Sequence, residues 1–194
     1  VLQVYENNHI ARNLYEKLGF DNMGGVVELR SQRVPFVTPP VQLPNFGGFR
    51  ANQWRSLYQL ATEQPSAQQR WWRTLRRGDF QLTFEDQFAE WFWHLIGRTS
   101  ILRRCIRVGS RFDAALILSA QRWNGEHNIN LWSRSDAYGK YEAYLAQWAL
   151  AELQDYPRFP ISINVSTEND AAIKAFQQYN FQRREALLTM RKEV

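Results

Sequence analysis

Apolar residues recur along this chain in two rhythms, and each change of period marks a new element. Leu2 to Tyr5 reads as the end of a buried strand, after which Ile10, Leu14 and Leu18 fall on one helical stripe with Ala11 and Tyr15 beside it. Asn7 or Asn8 can cap that helix, and Gly19 can end it in the left-handed conformation. Gly24-Gly25 is then expected to turn the chain into a strand from Val26 to Arg30, followed by an extended linker at Pro35, Pro39, Pro40 and Pro44, where helix is excluded. Trp54, Leu57, Tyr58, Leu60 and Ala61 predict a helix over Asn52–Glu63. Two more are predicted, one through Trp71, Trp72 and Leu75 to Gly78, and one from Glu85 to Ile96 that is aromatic on nearly every side. Ile101–Val108, Ala114–Trp123 and Asn128–Trp132 read as an antiparallel meander with turns at Gly109 and Asn124-Gly125. Asp136–Leu153 follows as a helix with Tyr141, Tyr144, Leu145, Trp148 and Ala149 on one face. Pro157 and Pro160 bracket a loop into a short buried strand, Ile161–Ser166, then a helix and a final strand, Glu185–Arg191. The order is that of an α+β fold with a mixed sheet.

The last elements repeat the first. At a constant offset of 161 residues, Val4 meets Val165, Asn8 meets Asn169, Ala11 meets Ala172, Tyr15 meets Phe176 and Phe20 meets Phe181. The register runs on without a gap to Val26-Val27 over Leu187-Leu188 and Arg30 over Arg191. Both copies keep one order: strand, Asn, helix, aromatic, turn, strand. The proline-rich linker places a boundary between a short unit, residues 1–38, and a longer one, residues 39–194. A lone helix and strand cannot bury their apolar faces, so Ile10, Leu14, Leu18, Val26 and Val27 are expected to dock on the longer unit or on another chain, which makes a homo-oligomer one outcome.

This order resembles the GCN5-related N-acetyltransferase (GNAT) family, and the repeated segment resembles the end of such a domain. The resemblance implies a mixed, mostly antiparallel sheet flanked by helices, in which the strands before and after the central helix splay apart to take the pantetheine arm of acetyl-CoA. It further implies a tandem arrangement: residues 1–38 as the tail of a first domain, residues 39–194 as a degenerate second one. The chain starts without methionine in mid-pattern, as a truncated or processed piece would.

The family's phosphate-cradling loop needs exposed N–H groups at a helix N-terminus and no side chain in the way. The corresponding stretch here includes Asp136, Tyr138, Gly139, Lys140 and Tyr141. Only Gly139 of the expected pattern is kept, Tyr141 replaces a second glycine, and Lys140 offers a cation to phosphate. Cofactor-binding candidates are therefore Asn8, Tyr138, Gly139, Lys140, Tyr141 and Asn169, although both asparagines also suit helix caps. Tyr15 matches the tyrosine that commonly protonates the departing thiolate of coenzyme A, so it is the catalytic candidate, while Phe176 has no proton to give. Glu85, Asp86, Glu90 and Glu126 are eligible as general base for an amine, with none singled out.

Composition narrows the rest. Apolar residues at 44% and aromatics at 14% are ample for a core. The net charge of +5 is carried by twenty arginines against four lysines, with clusters at Arg70, Arg73, Arg76, Arg77 and at Arg103, Arg104, Arg107. Such clusters attract phosphates of any kind, but no nucleic-acid recognition motif accompanies them, which ranks that partner last. Cys105 has no cysteine partner and a reducing cytoplasm suits it. No apolar run spans a membrane. His9, His94 and His127 form neither a nucleophilic nor a metal-binding pattern, so no metal is expected. Two functions remain in front: transfer of acetyl from acetyl-CoA to a small amine or peptide amine, with the second domain inactive, or a non-catalytic pseudo-acetyltransferase domain that binds a protein partner or small ligand.

Overall fold

The computed structural model describes residues 1–63 and 97–192. The helices expected through Trp71 and Trp72 and over Glu85–Ile96 lie outside the described residues. In chain order the elements are β1 (Leu2–Tyr5), α1 (His9–Lys17), β2 (Asp21–Ser31), β3 (Phe46–Gly48), α2 (Trp54–Glu63), β4 (Thr99–Val108), β5 (Arg111–Gln121), β6 (His127–Ser133), α3 (Glu142–Glu152), β7 (Ile161–Ser166), α4 (Asp170–Gln177) and β8 (Gln182–Arg191). All eight strands share one sheet, in the order β1-β8-β2-β7-β6-β5-β4-β3. The β6–β7 pair is parallel and the other pairs are antiparallel, giving the α+β, mixed and mostly antiparallel sheet that the sequence predicts.

The meander forms where period-two alternation meets glycine turns. On β6, His127, Ile129, Leu131 and Ser133 are buried while the residues between them are only partly so. Gly109 and Gly125, both at positive φ, reverse the chain at either end of β5. β5 lies deep in the sheet and is covered on both faces: Ala114, Leu116 and Leu118 enter the main core with Ile129, Leu145, Leu150 and Ile163, whereas Ala115 joins Phe49, Leu57, Leu60, Cys105 and Phe112. Burying each Leu- or Ile-sized side chain contributes about 2 kcal/mol, so these two layers dominate the stability.

The short N-terminal unit is built into the same sheet. β2 pairs with β7 on one side and β8 on the other, while β1 pairs with the far edge of β8. The pairing is reciprocal. Val4 lies opposite Leu188 and, at the repeat offset, Val27 lies opposite Val165; Leu2 opposite Met190 answers Leu29 opposite Ile163. Between β2 and β8, Asp21 opposite Arg191 answers Arg30 opposite Gln182, and Gly25 opposite Leu188 answers Val27 opposite Ala186. A local two-fold axis therefore passes through the sheet at the rung joining Val26 and Leu187. Each repeat's last strand lies beside the other repeat's first.

The symmetry extends to caps and side chains. Asn8 Oδ1 accepts the N–H of Ala11 at 3.0 Å, and Asn169 Oδ1 that of Ala172 at 3.0 Å. Gly19 and Asn180 end their helices at φ 80° and 64°. Tyr15 packs on Phe20 with ring centroids 5.8 Å apart, Phe176 on Phe181 at 5.4 Å. The two helices differ in what covers them: Ala172, Ile173, Ala175 and Phe176 of α4 are buried, and α4 packs on α3, whereas no residue of α1 is fully buried. Of the N-terminal residues expected to dock, Val27 is buried in the sheet and Val26 partly so, while Ile10, Leu14 and Leu18 are exposed.

Four local expectations are corrected. Gly24-Gly25 is not a turn before a strand; both glycines lie inside β2, at a bulge between Asn22 and Gly25 that brings the backbone against β8. A Cβ on Gly25 would stand 2.0 Å from the Leu187 carbonyl oxygen, so close approach of two backbones, not chain reversal, requires glycine there. β3 is an additional short strand, pairing Phe46–Gly48 with Arg104–Ile106 where the proline-rich stretch ends. α3 begins at Glu142 rather than Asp136, after a single 3-10 turn at Ser135–Ala137, because Gly139 at φ 85° breaks the helical path. β8 begins at Gln182 rather than Glu185. The linker itself is strapped to α3 and the 3-10 turn that follows it, since Gln147 Nε2 on the helix donates to Thr38 O at 2.9 Å and Gln154 Nε2 in the turn to Val37 O.

Candidate functional site

β6 and β7 part company beside the start of α3. Their rungs run from His127–Ile161 to Asn130–Asn164 and stop, while β6 continues to Ser133 and β7 to Ser166. The loop leading from β6 to α3 begins at this opening. Arg134 fixes its root through Asp136 Oδ1 at 3.1 Å and through Glu63 at the end of α2. The hydrogen bond from Arg134 holds the Asp136 carboxyl below its ordinary range.

The N–H groups of the loop are directed inward. Gly139 donates to Glu142 Oε2 at 2.9 Å, Lys140 to Ala137 O at 3.1 Å and Tyr141 to Glu142 Oε2 at 3.2 Å. Glu142 is the first residue of α3 and only 1% exposed, so its carboxylate folds back over the loop that precedes the helix. Its other oxygen accepts from Asn169 Nδ2 at 3.4 Å, which ties the start of α3 to the cap of α4. An anion at a helix N-terminus meets N–H donors and the positive end of the helix dipole, and this one is supplied by the chain itself. Tyr141 is buried in the main core, Tyr138 is half-buried, and Lys140 projects to solvent with its ammonium 5.0 Å above the Tyr141 ring. Its hydrogen bond to Tyr141 keeps the Lys140 ammonium protonated above its ordinary range.

The structure thus brings Gly139, Tyr141, Glu142 and Asn169 together, with Tyr138 and Lys140 on the same loop. It leaves Asn8 and Tyr15 elsewhere, on α1, where Tyr15 packs with Val4, Leu188, Met190 and Phe20 in a small cluster separate from the main core. Phe176, its counterpart, is fully buried in the main core. Glu142 is the residue that reading the sequence misses. Its signal was an acidic side chain in the first turn of a helix, three positions after the kept glycine.

Other candidates resolve simply. Glu126 is paired with Arg30 at 2.9 Å, and Glu85, Asp86, Glu90 and His94 lie outside the described residues. The cluster from Arg70 to Arg77 lies outside them as well. Arg104 stacks 5.0 Å from the Trp148 ring, and Arg107 donates to Gly48 O at 2.9 Å while lying 5.4 Å from the Phe112 ring. His127 is buried, accepting the Gln121 N–H at Nδ1 and donating from Nε2 to Pro157 O at 2.8 Å. Among the described residues, no group of three or more His, Cys, Asp or Glu side chains is placed to hold a metal ion, and no helix is long and apolar enough to cross a membrane.

No family profile matches the sequence, and no curated protein matches it. Solved structures do. A GCN5-related N-acetyltransferase from Sphaerobacter thermophilus is 14% identical with a TM-score of 0.55, over 96% of this chain and 58% of that one. A GCN5-related N-acetyltransferase from Kribbella flavida is 11% identical with a TM-score of 0.50, over 97% of this chain and 66% of that one. A conserved protein of unknown function from Staphylococcus epidermidis is 10% identical with a TM-score of 0.52, over 96% and 68%. The chain therefore spans less than two thirds of the length of the two acetyltransferases. With the repeated strand–helix–strand unit, the parted β6 and β7 and the helix that starts between them, the chain has the fold of the GCN5-related N-acetyltransferases.

Proposed function

We propose that the chain belongs to an acyltransferase-fold protein of tandem build and that residues 39–194 form its non-catalytic, pseudo-acetyltransferase domain. One observation carries this reading: the Glu142 carboxylate occupies the N–H groups of Gly139 and Tyr141, the place where a cofactor pyrophosphate would have to be held. The residues present do not fit that group. A second anion at the same donors would meet a buried carboxylate at close range, and like charges a few ångströms apart in a poorly solvated site repel strongly. Tyr141 adds bulk where a cradle needs none, and Phe176 leaves the position of the proton donor without a hydroxyl. Transfer of acetyl from acetyl-CoA to an amine is assigned to the unit that contains Asn8 and Tyr15, whose phenol keeps the chemistry that Phe176 lacks.

Calorimetry tests the assignment. Titrating the 194-residue chain with acetyl-CoA into the millimolar range is expected to give no saturable heat. Saturable binding that Gly139→Glu abolishes would establish a working cofactor loop and end the pseudo-domain reading.

A further inference from the structure

The local two-fold axis says what should cover the two surfaces of the N-terminal unit that the described residues leave open. β1 closes one edge of the sheet, paired with β8 along one side. Its counterpart, β7, is flanked on the corresponding side by β6, running parallel through the rungs His127–Ile161 to Asn130–Asn164. α1 presents Ile10, Leu14 and Leu18 at 86%, 54% and 50% exposure. The corresponding positions of its counterpart are Ala171 and Ala175 on α4, the helix that packs against α3, and Tyr179 in the turn just after it. What covers the second repeat is therefore a parallel strand and the helix that follows it. The first repeat shows the same backbone pairing, caps and ring contacts, with larger apolar side chains on the stripe and, among the described residues, no strand and helix over them.

We propose that the outer edge of β1 and the Ile10–Leu14–Leu18 stripe of α1 dock a strand and helix of the β6–α3 type, supplied by the part of the same polypeptide that precedes Val1. Carried across the repeat offset, the parallel strand meets β1 at Val1, Leu2 and Gln3, and its helix lies along the exposed stripe. Edge-strand addition satisfies the free N–H and C=O groups of β1, and the helix removes the stripe from water. A second copy of this chain is a poor occupant. Two β1 edges brought together by a two-fold would pair antiparallel, whereas the axis calls for a parallel partner, and the β6 strand of each copy is already held between β5 and β7. The proposal is independent of whether the Gly139 loop binds a cofactor, so calorimetric failure of that reading would leave it standing.

The test compares the 194-residue chain with the polypeptide extended upstream along its coding sequence, each as wild type, as the double variant Ile10→Glu/Leu14→Glu, and as the control Phe36→Glu, which changes another exposed apolar residue. In the 194-residue chain the double variant is expected to leave the melting temperature unchanged and light scattering to give a monomer. In the extended protein the double variant is expected to lower the melting temperature by about 5 °C or more and to abolish slow amide exchange at Leu2–Tyr5, with the control unchanged. Equal melting temperatures for extended wild type and double variant would overturn the proposal. So would a dimer of the 194-residue chain that the double variant dissociates, because the stripe would then belong to a second copy.

Discussion

The carboxylate of Glu142 accepts the N–H of Gly139 at 2.9 Å, and the same oxygen accepts that of Tyr141 at 3.2 Å. A loop on which the resemblance bestows an anion site is satisfied by an anion from its own helix. Glu142→Ala is expected to cost about 2 kcal/mol, since it strands two inward-facing donors, and Glu142→Gln less because one amide oxygen can still accept. Urea denaturation at neutral pH reads the difference, and an unchanged midpoint for the alanine variant would show that water serves these donors equally well.

Gly25→Ala is expected to be among the most damaging single-methyl additions in the chain. The new Cβ would fall 2.0 Å from the Leu187 carbonyl oxygen, so β2 or β8 must shift at the axis of the repeat. A loss of about 3 kcal/mol, seen as an earlier denaturation midpoint, is the expected result. Near-wild-type stability would mean that the two strands are not held this close in solution.

The paired aromatic positions provide an internal control. Phe176→Ala removes a fully buried ring and is expected to cost about 4 kcal/mol, whereas Tyr15→Ala, at the equivalent place on a helix without buried residues, is expected to cost about 1 kcal/mol in the 194-residue chain. Equal losses would show that α1 is covered in solution.

His127 gives stability a pH dependence. Burial holds its folded-state pKa below the ordinary 6.5, despite the opposing bond to Pro157 O, so the unfolded chain binds the proton more readily. The contribution is therefore complete above pH 6.5 and is lost as pH falls from there through the folded-state pKa, at most about 1.4 kcal/mol for each pH unit separating the two. Melting temperatures between pH 7.5 and roughly pH 5 should decline, and His127→Gln should flatten that decline even though it lowers stability throughout.

Burial raises the Cys105 thiol to about 11, with Arg107 and Arg104 opposing the shift only in part. At pH 8 the native protein should react with a thiol reagent far more slowly than the denatured protein does, because thiolate and access are both scarce. Reaction at the denatured rate would contradict the packing of Cys105 between β3 and β5.

Elements with local causes were legible in the sequence. The asparagine caps at Asn8 and Asn169 and the meander turns at Gly109 and Gly125 each depend on residues a few positions apart. Strand order was not. Nothing within Val26-Val27-Glu28-Leu29 states that its neighbours come from the far end of the chain, because alternation tells which face is buried and not which strand lies alongside. Gly24-Gly25 reads as a turn for the same reason: the carbonyl that demands glycine belongs to Leu187. In the candidate site, the weak glycine loop and the missing hydroxyl at Phe176 were visible by comparison with the resembled pattern. The closing role of Glu142 was not, since it depends on the carboxylate folding back over Gly139 and against Asn169.

The position of β2 also constrains how the chain acquires its shape. Synthesis delivers β2, which ends at Ser31, well before the two strands that flank it, which end at Ser166 and Arg191. Until both have emerged, β2 has nowhere to pair, and its Val27 and Leu29 must wait in water or in the care of a chaperone. Closing loops of that span precedes any reward from contact, so this part of the sheet should form slowly, with β1 and β2 threading into place as a late step.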